Sequence, residues 1–422
     1  NSGIKGRVTP AAATTSKSSK GPSLLPKALP GRMSPQANPA IDDEPVARKE
    51  PEKGSPEWLL NEIQRVQLLP LPLEISKEEE SEDFDKEDQP LTPEQERKFA
   101  QEIERTKVIR QERNLRIIKL AEECMQKTNK HPEQEPMFSA AVHNLLDAKF
   151  KLALQGDADC VEYLYDAQKI FFERNPQSDS ASESALTVVN LTHANALRYG
   201  RSEPGWLKEF SKHTQRYATR FPDEMPRSIP LLMAAARSCE INGQVDEART
   251  CYSLLSTRFK DTPQGLQATG ILRRLQLKGQ ELDLSGPGID GSDIDVRAHK
   301  GKMVLVVFWA STAQPFVQQL PKIAAATTKY KKYCSVIGVN LDTDEKAVEV
   351  FVESNNLEWP QIFGSTRAQR GWSSPIAVHY GVNTLPTMWL LDPNGIVAET
   401  NLDASNLEAK LHEVYLPFHK KQ

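Results

Sequence analysis

The chain has 422 residues, too many for one ordinary core, and suits two domains plus tails. Only 38% of residues are hydrophobic and the mean hydropathy is −0.54, which excludes a chain that is globular throughout. A formal net charge of −4 supplies no basic field and argues against nucleic acid as a partner. The longest apolar run, Met303–Ala310, falls far short of the roughly 20 residues a membrane helix needs. The sequence opens on Asn1 rather than Met. Membrane association is therefore expected only through an unseen or removed N-terminal segment.

Residues 1–55 read as a disordered, basic and proline-rich segment: Lys5, Arg7, Lys17, Lys20, Lys27 and Arg32 occur among Ser, Pro, Ala and Gly. Ser55-Pro56 then has the form of a helix start, with Ser as cap and Pro at the first helical position. Trp58, Leu59, Ile63, Val66 and Leu69 follow at near-helical spacing, which predicts a short amphipathic helix over 56–69. Such a helix can dock on a partner or fold back on this chain, and both readings stay open. Residues 70–93 form an acidic linker, whose run EISKEEESEDFDKED repels itself and extends.

From Thr92-Pro93-Glu94-Gln95, which has the form of a capping box, a helical domain is expected over 94–277. Thr219-Arg220-Phe221 returns as Thr257-Arg258-Phe259, 38 residues on from Phe221 to Phe259, and Arg174-Asn175-Pro176 matches Arg220-Phe221-Pro222. Between the first two lies Asn242-Gly243, then Ala248, Tyr252, Leu254 and Leu255. A turn glycine, a small residue for close packing and an aromatic one turn on resemble tetratricopeptide repeats, whose stacked helix pairs bury their apolar faces and offer a concave surface for peptides. Trp206, Tyr217 and His213 are expected to pack rather than to bind.

The glycines between Gly279 and Gly291 mark a boundary, after which strand and helix patterns alternate over 279–422. Met303–Ala310 and Ser335–Leu341 are continuous apolar runs of the kind buried on both faces of a sheet. Helices are expected after each, the second with Ala347, Val350 and Phe351 spaced along one side. Trp389–Val397 reads as two strands around Asp392-Pro393-Asn394-Gly395, and a helix follows from Leu407 to Tyr415. Trp372, Trp389 and Tyr380 are expected in or near the core. The fold class is α/β for the C-terminal domain, preceded by an all-α domain.

Gly301-Lys302, the strand ending Phe308-Trp309-Ala310, Pro315 and Tyr380-Gly381-Val382-Asn383-Thr384-Leu385-Pro386-Thr387 together resemble the thioredoxin fold. The resemblance is to redoxins of the TlpA/ResA-like thiol–disulfide oxidoreductase branch, and Leu341-Asp342 through Trp359-Pro360-Gln361-Ile362-Phe363 resembles that branch's helical insert. A helical region before such a domain is similar to multidomain redoxins of planctomycete-type bacteria. The resemblance implies a bacterial protein of the periplasm or cell envelope.

The family's chemistry uses two cysteines, two residues apart, at a helix N-terminus, where the dipole and free N–H groups favour a thiolate. Here the loop reads Trp309-Ala310-Ser311-Thr312-Ala313-Gln314-Pro315-Phe316. Ala313 stands in place of the attacking cysteine and Phe316 in place of the resolving one, with Gln314 and Pro315 between them. Val307 stands where many relatives keep a buried acid. Neither Ala nor Phe is a nucleophile. The resemblance further implies that Pro386 is the family's cis-proline, that Leu385 offers backbone to an extended segment, and that Trp309, Thr312 and Phe316 border the groove.

Cys334 is the only thiol in the C-terminal domain, and its place before a buried strand suits packing. With Cys124, Cys160, Cys239 and Cys251 it makes an odd set of five without C-x-x-C spacing, so neither a disulfide framework nor a zinc site is expected. No cofactor motif is present. The first expectation is a redox-inactive thioredoxin-like protein that binds a protein or peptide. The alternatives are an oxidoreductase or peroxidase using Cys334, and a structural protein that oligomerises through its repeats.

Overall fold

In the computed structural model the described residues are 50–71, 92–400 and 402–419. The basic segment through residue 49 and the acidic run 74–88 lie outside them. Helix α1 (Pro56–Gln67) starts as its sequence dictates: Ser55 Oγ accepts from the Trp58 amide at 3.2 Å, and Pro56 occupies the first turn. Its buried residues Leu59, Ile63 and Val66 pack on α2 (Pro93–Thr128) and α3 (Glu135–Ala153). The apolar face of α1 is therefore spent inside this chain, and only Leu68 and Leu69 beyond its end remain exposed. Helix α2 opens with the reciprocal capping box: the Gln95 amide donates to Thr92 Oγ1, and the Thr92 amide donates to Gln95 Oε1.

Helices α4 (Ala158–Arg174), α5 (Asp179–Tyr199), α6 (Gly205–Arg220), α7 (Met225–Ile241), α8 (Val245–Arg258) and α9 (Pro263–Leu275) follow, each packed on the one before. Short connections force antiparallel neighbours. The recurring Arg174, Arg220 and Arg258 end α4, α6 and α8, so the sequence repeat marks equivalent places in alternate helices. Gly243 makes the α7–α8 turn at φ 76°, a conformation that other residues rarely adopt. Ala248, Cys251, Tyr252 and Leu255 seal α8 against its neighbours. Tyr217 and His213 are buried, while Trp206 is half-buried with its indole donating to Glu203.

The C-terminal domain has a small hairpin, β1 (Ser285–Pro287) with β2 (Asp293–Asp295), and one five-stranded sheet. Strand β3 (Met303–Trp309) lies at its centre, parallel to β4 (Cys334–Asn340), which pairs parallel with β5 (Gln361–Ile362). On the other side β6 (Thr387–Leu391) and β7 (Val397–Glu399) run antiparallel, giving the order β5-β4-β3-β6-β7. Between the strands lie α10 (Gln314–Lys329), α11 (Glu345–Ser354) and α12 (Pro375–His379), and α13 (Leu407–His419) closes the chain.

The period of two sorts the side chains of β3. Met303, Leu305, Val307 and Trp309 face a core shared with α10 and α13, whereas Val304, Val306 and Phe308 face a core with Tyr380, Trp389 and Leu282. In α11 the inner face is Val348, Phe351 and Val352, three and four residues apart, and Val350 points to solvent. One expectation, that for Trp372, needs correction. Trp372 sits in a one-turn helix, Gly371–Ser373, and is 55% exposed rather than part of the core.

Candidate functional site

The site at the end of β3 is built by the switch from strand to helix. Ala310 is the last buried residue of the strand run, and Ser311 then leaves the sheet. Its amide donates to Asp342 Oδ2 and its hydroxyl to Asp342 Oδ1, both at 2.8 Å. Asn340 Nδ2 donates to the same carboxylate at 2.7 Å, and the Asp342 amide returns a bond to Asn340 Oδ1. One buried carboxylate at the end of β4 thus fixes the loop after β3. Sequence reasoning missed this clamp, although an acid directly after an apolar strand is a signal, since a buried charge needs partners.

Ala313 occupies the N-cap of α10 with extended backbone (φ −78°, ψ 95°) and no side-chain cap. Gln314 and Pro315 form the exposed first turn, and Thr312 is exposed beside them. Phe316 turns inward: it is fully buried, with its ring centroid 5.0 Å from Trp309 and 6.2 Å from Phe351. Trp309 is equally buried, 5.3 Å from Phe351, and its Nε1 donates to Gln361 Oε1 at 2.8 Å. Val307 lies in the same core. The expectation that Trp309 and Phe316 wall a peptide groove is therefore corrected. Their large apolar rings gain more from the interior than from solvent, and the inward pleat of β3 directs Trp309 there.

Leu385 and Pro386 are half-buried, joined by a cis peptide bond. Among the described residues no hydrogen bond uses the Leu385 amide or carbonyl. With Thr312, they make up the part of the expected groove that is accessible, and Gln314 and Pro315 are exposed beside it. On the other side of Ser311 a shallow hollow is lined by Asp344, Lys346, Ala347, Val350 and Phe351.

Cys334 begins β4, near the far end of the strand from Ser311. It is buried, and that burial pushes its thiol up to about 12. Cys124, Cys160, Cys239 and Cys251 are also free and buried, and burial is the leading cause that raises each of them. Among the described residues no group of His, Cys, Asp and Glu is placed to hold a metal ion.

Residues 301–397 match the family model described as thioredoxin-like. The C-terminal domain is a thioredoxin-like domain. It is similar to the thioredoxin-like protein YneN of Bacillus subtilis (strain 168), 27% identical over 129 residues, covering 30% of this chain and 71% of the relative. It is also similar to the thiol-disulfide oxidoreductase ResA of Bacillus thuringiensis (strain Al Hakam), 30% identical over 112 residues. That match covers 26% of this chain and 61% of the relative. Among solved structures, a thiol-disulfide oxidoreductase from Bacteroides fragilis NCTC 9343 is 29% identical, covering 32% of this chain and 97% of its own, at a TM-score of 0.29. All three likenesses fall within about a third of the chain. No helix among the described residues is long and apolar enough to cross a membrane.

Proposed function

We propose that this chain is a protein- or peptide-binding member of the thiol–disulfide oxidoreductase group that has given up dithiol exchange. One observation carries the reading: the N-terminus of α10 holds Ala313 and an inward-facing Phe316 where the chemistry needs two thiols. Exchange requires a thiolate that can attack a disulfide and a second thiol that releases it. The only thiol in the thioredoxin-like domain, Cys334, is buried near the other end of β3 and β4 and is held protonated.

The accessible remainder, Thr312, Gln314, Pro315, Leu385 and Pro386, can still receive an extended segment, with the unused Leu385 backbone groups as the hydrogen-bonding edge. The stacked helices α4–α9 offer a second surface of repeat type. A bacterial periplasmic or cell-envelope location is part of this proposal, and the similarity to ResA supports it.

The test is disulfide reduction of a model protein with dithiothreitol. The parent chain is expected to match the reagent alone, while an Ala313→Cys/Phe316→Cys variant gains activity. Activity in the parent that Cys334→Ser removes would establish the oxidoreductase reading instead.

A further inference from the structure

The helical domain meets the thioredoxin-like domain backbone to backbone. A Cβ at Gly270 of α9 would lie 2.6 Å from both the Gly381 nitrogen and the Val378 carbonyl oxygen. Gly381 has φ 59°, and a Cβ there would run into the backbone of Gly270 and Ile271. Two glycines from different domains thus remove the side chains that would hold α9 and α12 apart. Beside them the Arg273 guanidinium donates to the His379 carbonyl at the end of α12.

The connector has no slack either. Leu277 is buried in the core that holds Val304, Tyr380 and Trp389. The Gly279 amide donates to the Val397 carbonyl at 2.8 Å, and the Val397 amide to the Gln280 carbonyl at 2.9 Å. Lys278 pairs with Glu399 at 3.0 Å, and the Tyr380 hydroxyl donates to the Asp283 carbonyl at 3.1 Å.

Domains joined in one chain move relative to each other unless their interface prevents it. Here the chain passes from α9 into the sheet with three residues between the helix end and the first sheet-like bond, and the middle one is buried. We infer that α9 is a clamp that makes the two domains one rigid body and holds the segment Val378–Gly381, which leads directly into the Leu385–Pro386 loop. The helical stack is then a fixed extension of the accessible loop surface, and a partner that touches both finds them in a single arrangement. This holds whether or not the domain exchanges disulfides.

The experiment is a spin-label distance measurement on the full chain. Labels go on Leu197→Cys, an exposed position in α5, and Lys331→Cys, an exposed position after α10; the native thiols are all buried and leave labelling selective. The parent is expected to give one narrow distance distribution. Gly270→Val should broaden it by about twofold or more. Arg273→Ala, a surface change that leaves both cores intact, should broaden it less and serves if Gly270→Val does not fold. Gly205→Ala, where a Cβ meets open space, should leave it unchanged. A broad distribution in the parent overturns the clamp. So does a narrow one that persists in every folded variant.

Discussion

The indole of Trp309 donates to the Gln361 side chain at 2.8 Å, and a Cβ on Gly338 of β4 would stand 2.8 Å from that indole nitrogen and inside the amide of Gln361. The pair lies in the interior beneath the N-terminus of α10, where Ala313 and Phe316 stand. Removing the acceptor leaves a buried N–H without a partner, at about 1–3 kcal/mol. Gln361→Leu should lower stability by that amount in urea unfolding. Gly338→Ala should lower it by about 1–3 kcal/mol, because the added methyl forces the pair apart. An unchanged midpoint for both would show that the pair holds nothing together.

Phe316 links the proposed loss of exchange to stability. It packs on Trp309 and Phe351, so shortening it to cysteine empties aromatic volume from the core. Loss of a buried Phe ring costs about 3–5 kcal/mol, and Phe316→Cys is expected near the lower end because the thiol fills part of the space. Ala313→Cys, at the half-exposed N-cap, should cost under about 1 kcal/mol and yield a thiol that reacts with Ellman's reagent in the folded state. A double variant that gained reductase activity with no loss of stability would contradict the packing assigned to Phe316.

How much of this was legible in the sequence depends on the range of the interaction. Ser55, Thr92 and Gln95 act within one helical turn, so their caps could be read directly. The run Met303–Ala310 announced a strand buried on both faces, and the repeat around Arg174, Arg220 and Arg258 was visible, though that these arginines end three helices was not. That positions 313 and 316 hold Ala and Phe was equally plain, but the direction of Phe316 was not. A motif position shows which side chain is present, while the choice between groove and core follows from the rings around it. The Asp342 clamp and the contact of Gly270 with Gly381 join residues far apart in the chain and leave no periodic pattern.

Asp342 should matter more than Ser311. Its carboxylate accepts from the Ser311 amide, the Ser311 hydroxyl and Asn340. Ser311→Ala removes one donor and keeps the backbone bond, for about 0.5–1.5 kcal/mol. Asp342→Ala strands all three donors and should cost about twice that or more, with faster amide hydrogen exchange over 311–313. Equal effects of the two changes would mean that neither the Ser311 backbone bond nor the Asn340 bond contributes.

The buried thiols predict how stability responds to alkali. Burial lifts Cys334 from the ordinary 9.0 to about 12, so the folded state keeps a proton that the unfolded chain releases above pH 9. The stabilisation is therefore complete below pH 9 and is lost as pH rises towards 12. Above pH 9 the slope approaches about 1.4 kcal/mol per pH unit for this thiol, and the other four raised thiols steepen the fall. Urea midpoints measured from pH 8 to pH 10.5 should decline, and Cys334→Ala should make the decline shallower. At pH 8, near-neutral for a thiol reagent, the folded chain should expose no reactive cysteine, and all five should titrate after unfolding. A fast-reacting Cys334 in the folded protein would reopen the single-thiol mechanism and count against the proposed loss of exchange.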